Sequence, residues 1–239
     1  MLDAPRGIVS AQTTVNKFGE NPLIALGARS DVWDGVANYS YPANVDMTHI
    51  SENFDVAADR GANVEIQGLD TSWALVTQHK ALNATNSATL VELDTPLRRT
   101  FRLKVLANIV AGANIDIHNA GGGITYATAQ AGNNQTLMAL YTVPAGKTAY
   151  LTCYYVGVVA GTNQDPKSTE FKLWAADRAN GYEFQLKHMR AIQAGQTGIT
   201  HCFKPYFKAT EKTDIKITAQ PEDKAAKVHA GFDLILVDN

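Results

Sequence analysis

The chain has 239 residues, 45% of them apolar and 18% charged, and a formal charge of −2. That much apolar material builds a core and is the reverse of a disordered composition, while the near-neutral charge supplies no cationic field for binding nucleic acid by counterion release. No apolar run nears the roughly 18 residues of a membrane-spanning helix, and no basic segment followed by an apolar stretch opens the chain; it reads as a soluble, unsecreted protein of one large or two small domains.

Residues 1–30 are rich in small and polar side chains, and 23–26 is their one apolar cluster. They read as an extended N-terminal arm, which cannot bury such a patch alone and would lay it on its own domain or on a neighbour. Phe18, Leu23, Ile24 and Leu26 are the candidate partner-binding residues of that arm. Beyond it, apolar residues alternate with polar ones at a period of two, and helical periodicity is hard to find. Val64 and Ile66 alternate with Glu65 and Gln67, and Phe101, Leu103 and Val105 with Arg102 and Lys104. Further strands are expected at 73–82, 88–94, 114–118 and 124–129, separated by turn residues such as Asn83, Pro96 and Gly121.

A polar stretch at 130–135 precedes a second set of strands at 136–143, 149–159, 169–175, 182–192, 199–207, 214–219 and 232–237. The fold class is therefore all-β: two β-sandwich (jelly-roll-like) domains, 31–131 and 132–239, after the arm at 1–30. Segments 150–159 and 232–237 are apolar on both faces, so they are covered on both sides or meet another subunit; a homotrimer is the expected form. Pro205 cannot donate to a ladder, which puts its strand at an edge or on a bulge.

Sites of chemistry are sought and not found. Gly146, Lys147 and Thr148 end like a phosphate-binding loop, but Tyr141 stands where the motif needs glycine and a strand follows where it needs a helix. Asp116 and His118 share what reads as the polar face of one strand, and the remaining histidines have no metal-ligand spacing. No catalytic residue, metal, cofactor or small-molecule substrate is assigned. Cys153 and Cys202 read as separate reduced thiols, although Cys153 could meet His201 across a sheet. Of Trp33, Trp73 and Trp174, Trp174 is the candidate surface contact, because it shares a strand face with Glu170 and Lys172 rather than with Phe171 and Leu173.

Residues 16–22 (NKFGENP), 31–35 (DVWDG) and 39–42 (YSYP) resemble the opening of a group of tailed-bacteriophage virion structural proteins. That group typically begins with an FGRNP-like segment, then DVWDGG and a tyrosine-rich FPT segment. The likeness continues through 61–70 (GANVEIQGLD), 82–86 (LNATN) and 132–150 (GNNQTLMALYTVPAGKTAY). Glu20 stands where the group usually has Arg, and one glycine, Gly35, follows DVWD. The resemblance implies a non-enzymatic component of a phage particle assembled in the host cytoplasm. A capsid decoration or cement protein, bound to the major capsid protein or another virion protein, is the leading expectation. A neck, tail or baseplate component is the alternative within the virion, and a carbohydrate-binding module, resting on Trp174, lies outside it.

Overall fold

A computed structural model describes residues 9–35, 38–106, 109–159, 166–196 and 198–239. It is built almost wholly of strands, and it divides into two compact units, one of residues 1–33 with 138–239 and one of residues 34–137. The boundaries thus differ from those expected: the start of the chain belongs with its end, and the polar stretch at 130–135 lies inside the second unit.

In the first unit the jelly-roll strands are β1 (Gln12–Ile24), β10 (Leu140–Thr142), β11 (Lys147–Val159), β12 (Ser168–Asp177), β13 (Gln185–Gln193), β14 (Gly198–Ala209), β15 (Thr213–Pro221) and β16 (Ala226–Asp238). They form two antiparallel sheets, β1-β16-β11-β14 and β10-β15-β12-β13, with the short β2 (Ser30–Asp31) beside β15. The pairs β1·β16, β10·β15, β11·β14 and β12·β13 are nested, as in one long hairpin rolled over on itself. That is an eight-stranded jelly roll, and the second unit is inserted between β2 and β10. The inward faces carry Leu151, Tyr154 and Val156 of β11, Phe171 and Leu173 of β12, Ile215 and Ile217 of β15, and Phe232, Leu234 and Leu236 of β16, all buried. Each such side chain contributes about 1.5–3 kcal/mol by leaving water.

The arm is corrected. Residues 12–24 form β1, an edge strand held against β16 from Gln12↔Val237 to Ile24↔Ala226; residues 1–8 lie outside the described part. Its buried positions are Lys17, Gly19, Asn21 and Ile24, so the middle of the strand buries small and polar groups where an apolar stripe would have announced it. The Asn21 side-chain amide is satisfied by donating to the Asp31 carbonyl at 3.0 Å.

Pro205 meets its expectation on both counts. β14 is an edge strand, and its register against β11 runs from Leu151↔Phe207 to Cys153↔Cys202, which leaves 203–206 as a bulge. Segments 150–159 and 232–237 lie in the neighbouring strands β11 and β16, each flanked on both sides within the sheet.

The second unit has the sheets β6-β3-β8-β9 and β5-β4-β7, formed by β3 (Met47–Glu52), β4 (Asn63–Leu69), β5 (Leu75–Ala81), β6 (Val91–Leu97), β7 (Arg99–Val105), β8 (Ile115–His118) and β9 (Thr125–Ala129). Its core includes Ile50, Val64, Ile66, Leu69, Leu97, Leu103, Ile115 and Ile117. Strand β8 departs from the sequence reading, because Asp116 and His118 are buried at 8% and 7% exposure instead of lining a solvated face.

Candidate functional site

The residues proposed as an arm anchor are not brought together. Phe18 is half-buried on the outer face of the β1-β16-β11-β14 sheet opposite Gly231, and Ile24 is buried. Leu23 and Leu26 are each 58% exposed. Trp174 keeps its expected company: it is half-buried on the face shared with Glu170 and Lys172, while Phe171 and Leu173 face the core. Its indole N–H donates to Thr218 Oγ1 at 2.9 Å, which holds the ring along the sheet.

On the other sheet, strand register places Phe18, Tyr150, Tyr155, Ile235 and Val237 on the outer face of β1-β16-β11-β14, all half-buried. Gly231 makes the surface flat there, since a Cβ at this position would lie 2.3 Å from the Tyr155 ring. Asn16 adds a polar centre by donating to Asp233 Oδ1 at 2.7 Å. Aromatic and aliphatic groups around a few fixed polar ones are the composition of protein-binding surfaces. The two-sided apolar character of these strands thus has its second face here.

The two cysteines correct a further expectation. Cys153 and Cys202 are opposite one another on β11 and β14 and are joined as a disulfide, so the described residues hold no free cysteine. His201 is the partner of Tyr154 in the ladder.

Beside the bridge lies a cluster that sequence reasoning missed, formed where β13 and β14, the edge strands of the two facing sheets, come side by side. His188 and His201 stack with ring centroids 4.1 Å apart, the Tyr154 hydroxyl lies 2.7 Å from His188 Nδ1, and Arg190 donates to His201 Nδ1 at 3.0 Å. Desolvation, with the neighbouring His201 and the Arg190 charge, holds His188 below the usual histidine range; desolvation and Arg190 do the same to His201. Burial pushes Tyr154 up to about 12. Both imidazoles are therefore neutral near pH 7. An open cleft of about 320 Å³ continues along this edge, lined by Asp177, Tyr182, Lys187 and Phe207 among others. The signal that could have found the region is compositional: no Asp or Glu occurs between Glu183 and Glu211.

Among the described residues no three His, Cys, Asp or Glu side chains group to hold a metal. Buried carboxyls do occur in the second unit. Burial, helped by the Asp116 charge and opposed by the Leu137 N–H, pushes Asp34 up to about 8. Burial likewise pushes Glu52 up to about 7, the Ser87 hydroxyl offsetting part of this and the Asp59 carboxyl adding to it.

No family model and no curated protein matches the chain. Among solved structures, the chain is similar to the CBM22-1–GH10 modules of Clostridium thermocellum xylanase 10B, complexed with xylohexaose, at 10% identity and a TM-score of 0.22. That match covers 82% of this chain and spans 29% of the xylanase chain. A Bacteroides thetaiotaomicron lipoprotein matches at 9% identity and a TM-score of 0.22, over 90% of this chain and 97% of its own. The VP2 subviral particle of infectious bursal disease virus matches at 10% identity and 0.21, over 96% and 77%. Scores this low carry no argument about function. The strand order itself defines the class: an all-β protein whose jelly roll carries an inserted β unit.

Proposed function

We propose that this chain is a non-enzymatic structural protein of a tailed-bacteriophage virion, and within the virion a decoration protein that binds the outside of the head. The observation that carries the reading is the run of motifs between residues 16 and 150, NKFGENP, DVWDG, GANVEIQGLD and GNNQTLMALYTVPAGKTAY, in one chain and in the order of the phage group. These motifs reach from β1, through the inserted unit, into β11. The jelly roll supports the reading weakly, because viral capsid proteins use it and so do lectins. The outer sheet face with Phe18, Tyr150, Tyr155, Ile235 and Val237 supports it further as a surface for another virion protein or for further copies of this chain, the trimer being the expected form.

The test is co-sedimentation of the purified protein with emptied phage heads and, separately, with isolated tails. Saturable binding to heads supports a decoration role. Binding to tails alone moves the protein to the neck, tail or baseplate, and binding to neither refutes a virion role.

A further inference from the structure

Strands β13 and β14 are the adjoining edges of the two jelly-roll sheets, and each has one neighbour in its sheet, so its outer row of backbone N–H and C=O groups has no strand partner. Between them they present Lys187, Arg190, Lys204 and Lys208, all exposed. None of the four lies in an ion pair, whereas Arg29, Arg60, Lys80, Lys104, Lys147, Lys172, Arg178, Lys216 and Lys227 all do. Four positive charges without an acid in residues 184–210, against a chain total of −2, leave −6 on the remainder (−2 − 4 = −6).

Charges on an edge strand commonly serve to repel another strand, and Pro205 with its bulge blunts β14 in that way. Repulsion alone does not account for the apolar groups interleaved with the charges: Leu186, Met189 and Tyr206 are 43%, 47% and 44% exposed, and Tyr182 is 55% exposed at the mouth of the adjoining cleft. Strand β13 has no proline and offers its free edge over Gln185–Gln193, with one bulge at Lys187 that turns Leu186 and Met189 to the same face as Lys172 and Trp174. We propose that the β13 edge, with Lys204 and Lys208 of β14 beside it, docks an acidic, extended segment of a partner protein by strand addition. Main-chain hydrogen bonds to β13 would supply affinity, Leu186 and Met189 would receive alternate apolar side chains, and the four cations would select an acidic sequence. A second copy of the same edge is disfavoured, because it would bring like charges together. The aliphatic Leu186 and Met189 favour a polypeptide over a sulfated glycan or a nucleic acid.

The inference does not depend on the virion reading, and its test uses the isolated full-length protein. A fluorescent ten-residue peptide alternating Glu and Val is titrated by polarisation at low and high salt, beside a Lys-Val peptide, the Glu-Val peptide with N-methylated backbone, and heparin. The Glu-Val peptide is expected to bind, to weaken as salt rises, and to lose at least about tenfold in affinity on N-methylation or in the variant K187E/R190E/K204E/K208E. All four positions are exposed, and because R190E also removes the bond to His201, the variant K187E/K204E/K208E is measured beside it as the one expected to keep the wild-type melting temperature; L186S/M189S reads the apolar part. Equal binding by the charge-reversed protein, or no peptide binding at all, overturns the proposal. Heparin binding without Glu-Val binding also overturns it and assigns the edge to an anionic polysaccharide.

Discussion

Substitution of Gly19 by alanine tests whether residues 12–24 belong to the jelly roll or form a free arm. Gly19 lies on the inward face of β1 opposite Ala230. A Cβ there would stand 2.3 Å from the Ala139 nitrogen, 2.6 Å from the Val32 carbonyl oxygen and 2.8 Å from the Met138 carbonyl carbon. All three are backbone atoms, so no side-chain rotamer can yield. Two of them, the Ala139 N–H and the Val32 carbonyl, are bonded to each other at 2.9 Å. Overpacking costs about 1–3 kcal/mol, and the upper end applies where backbone must move; the disturbed hydrogen bond adds about 1 kcal/mol. At about 2–4 °C per kcal/mol for a domain of this size, G19A should lower the melting temperature of the first unit by about 10 °C. In a solvated arm the same change would be neutral or slightly stabilising, by about 0.5 kcal/mol, because alanine restricts the unfolded chain. Differential scanning calorimetry of wild type, G19A and the control G121A decides it, since nothing lies within 4 Å of a Cβ at Gly121. A G19A melting temperature at or above that of wild type refutes the placement of β1.

Removal of residues 1–28 strips the partner from the β16 edge, so the remainder should aggregate in sedimentation velocity instead of persisting as a folded, anchor-less monomer. Thiol titration of the unfolded, unreduced protein should find no free thiol, and two after reduction; closing a loop of 49 residues is worth about 4 kcal/mol in the chain-entropy model, so C153S should melt well below wild type. The two units should respond to pH with opposite sign. His188 and His201 are held below their unfolded values, so their contribution is full above about pH 6.5 and falls away with acidification; H188Q should flatten that loss in the first unit. Asp34 is raised to about 8, so its contribution is full below about pH 4 and is lost as pH rises to about 8; D34N should flatten the second unit's melting profile over that range.

Period-two alternation determined the all-β class, and it assigned faces correctly in β4, β7 and β12, but not in β8, where Asp116 and His118 are buried as well as Ile115 and Ile117. Trp174 stands apart from Phe171 and Leu173 as that pattern requires, and the chemistry of Pro205 fixed its place on a bulged edge strand. Alternation says nothing when the buried face is not apolar. β1 turns Lys17, Gly19 and Asn21 inward, and β3 buries Ser51 and Glu52, so neither was legible as a strand. The run without acid from Glu183 to Glu211 was in plain view, yet only the pairing of β13 and β14 each to a single neighbour makes it an edge. Which strands pair is decided by contacts distant in sequence: β1 meets β16 at the far end of the chain, and Cys153 meets Cys202 across 49 residues. Local pattern fixes which way a side chain points from its own strand, while the partner across the ladder is chosen by the burial of both sheets at once, and that exists only in the folded chain.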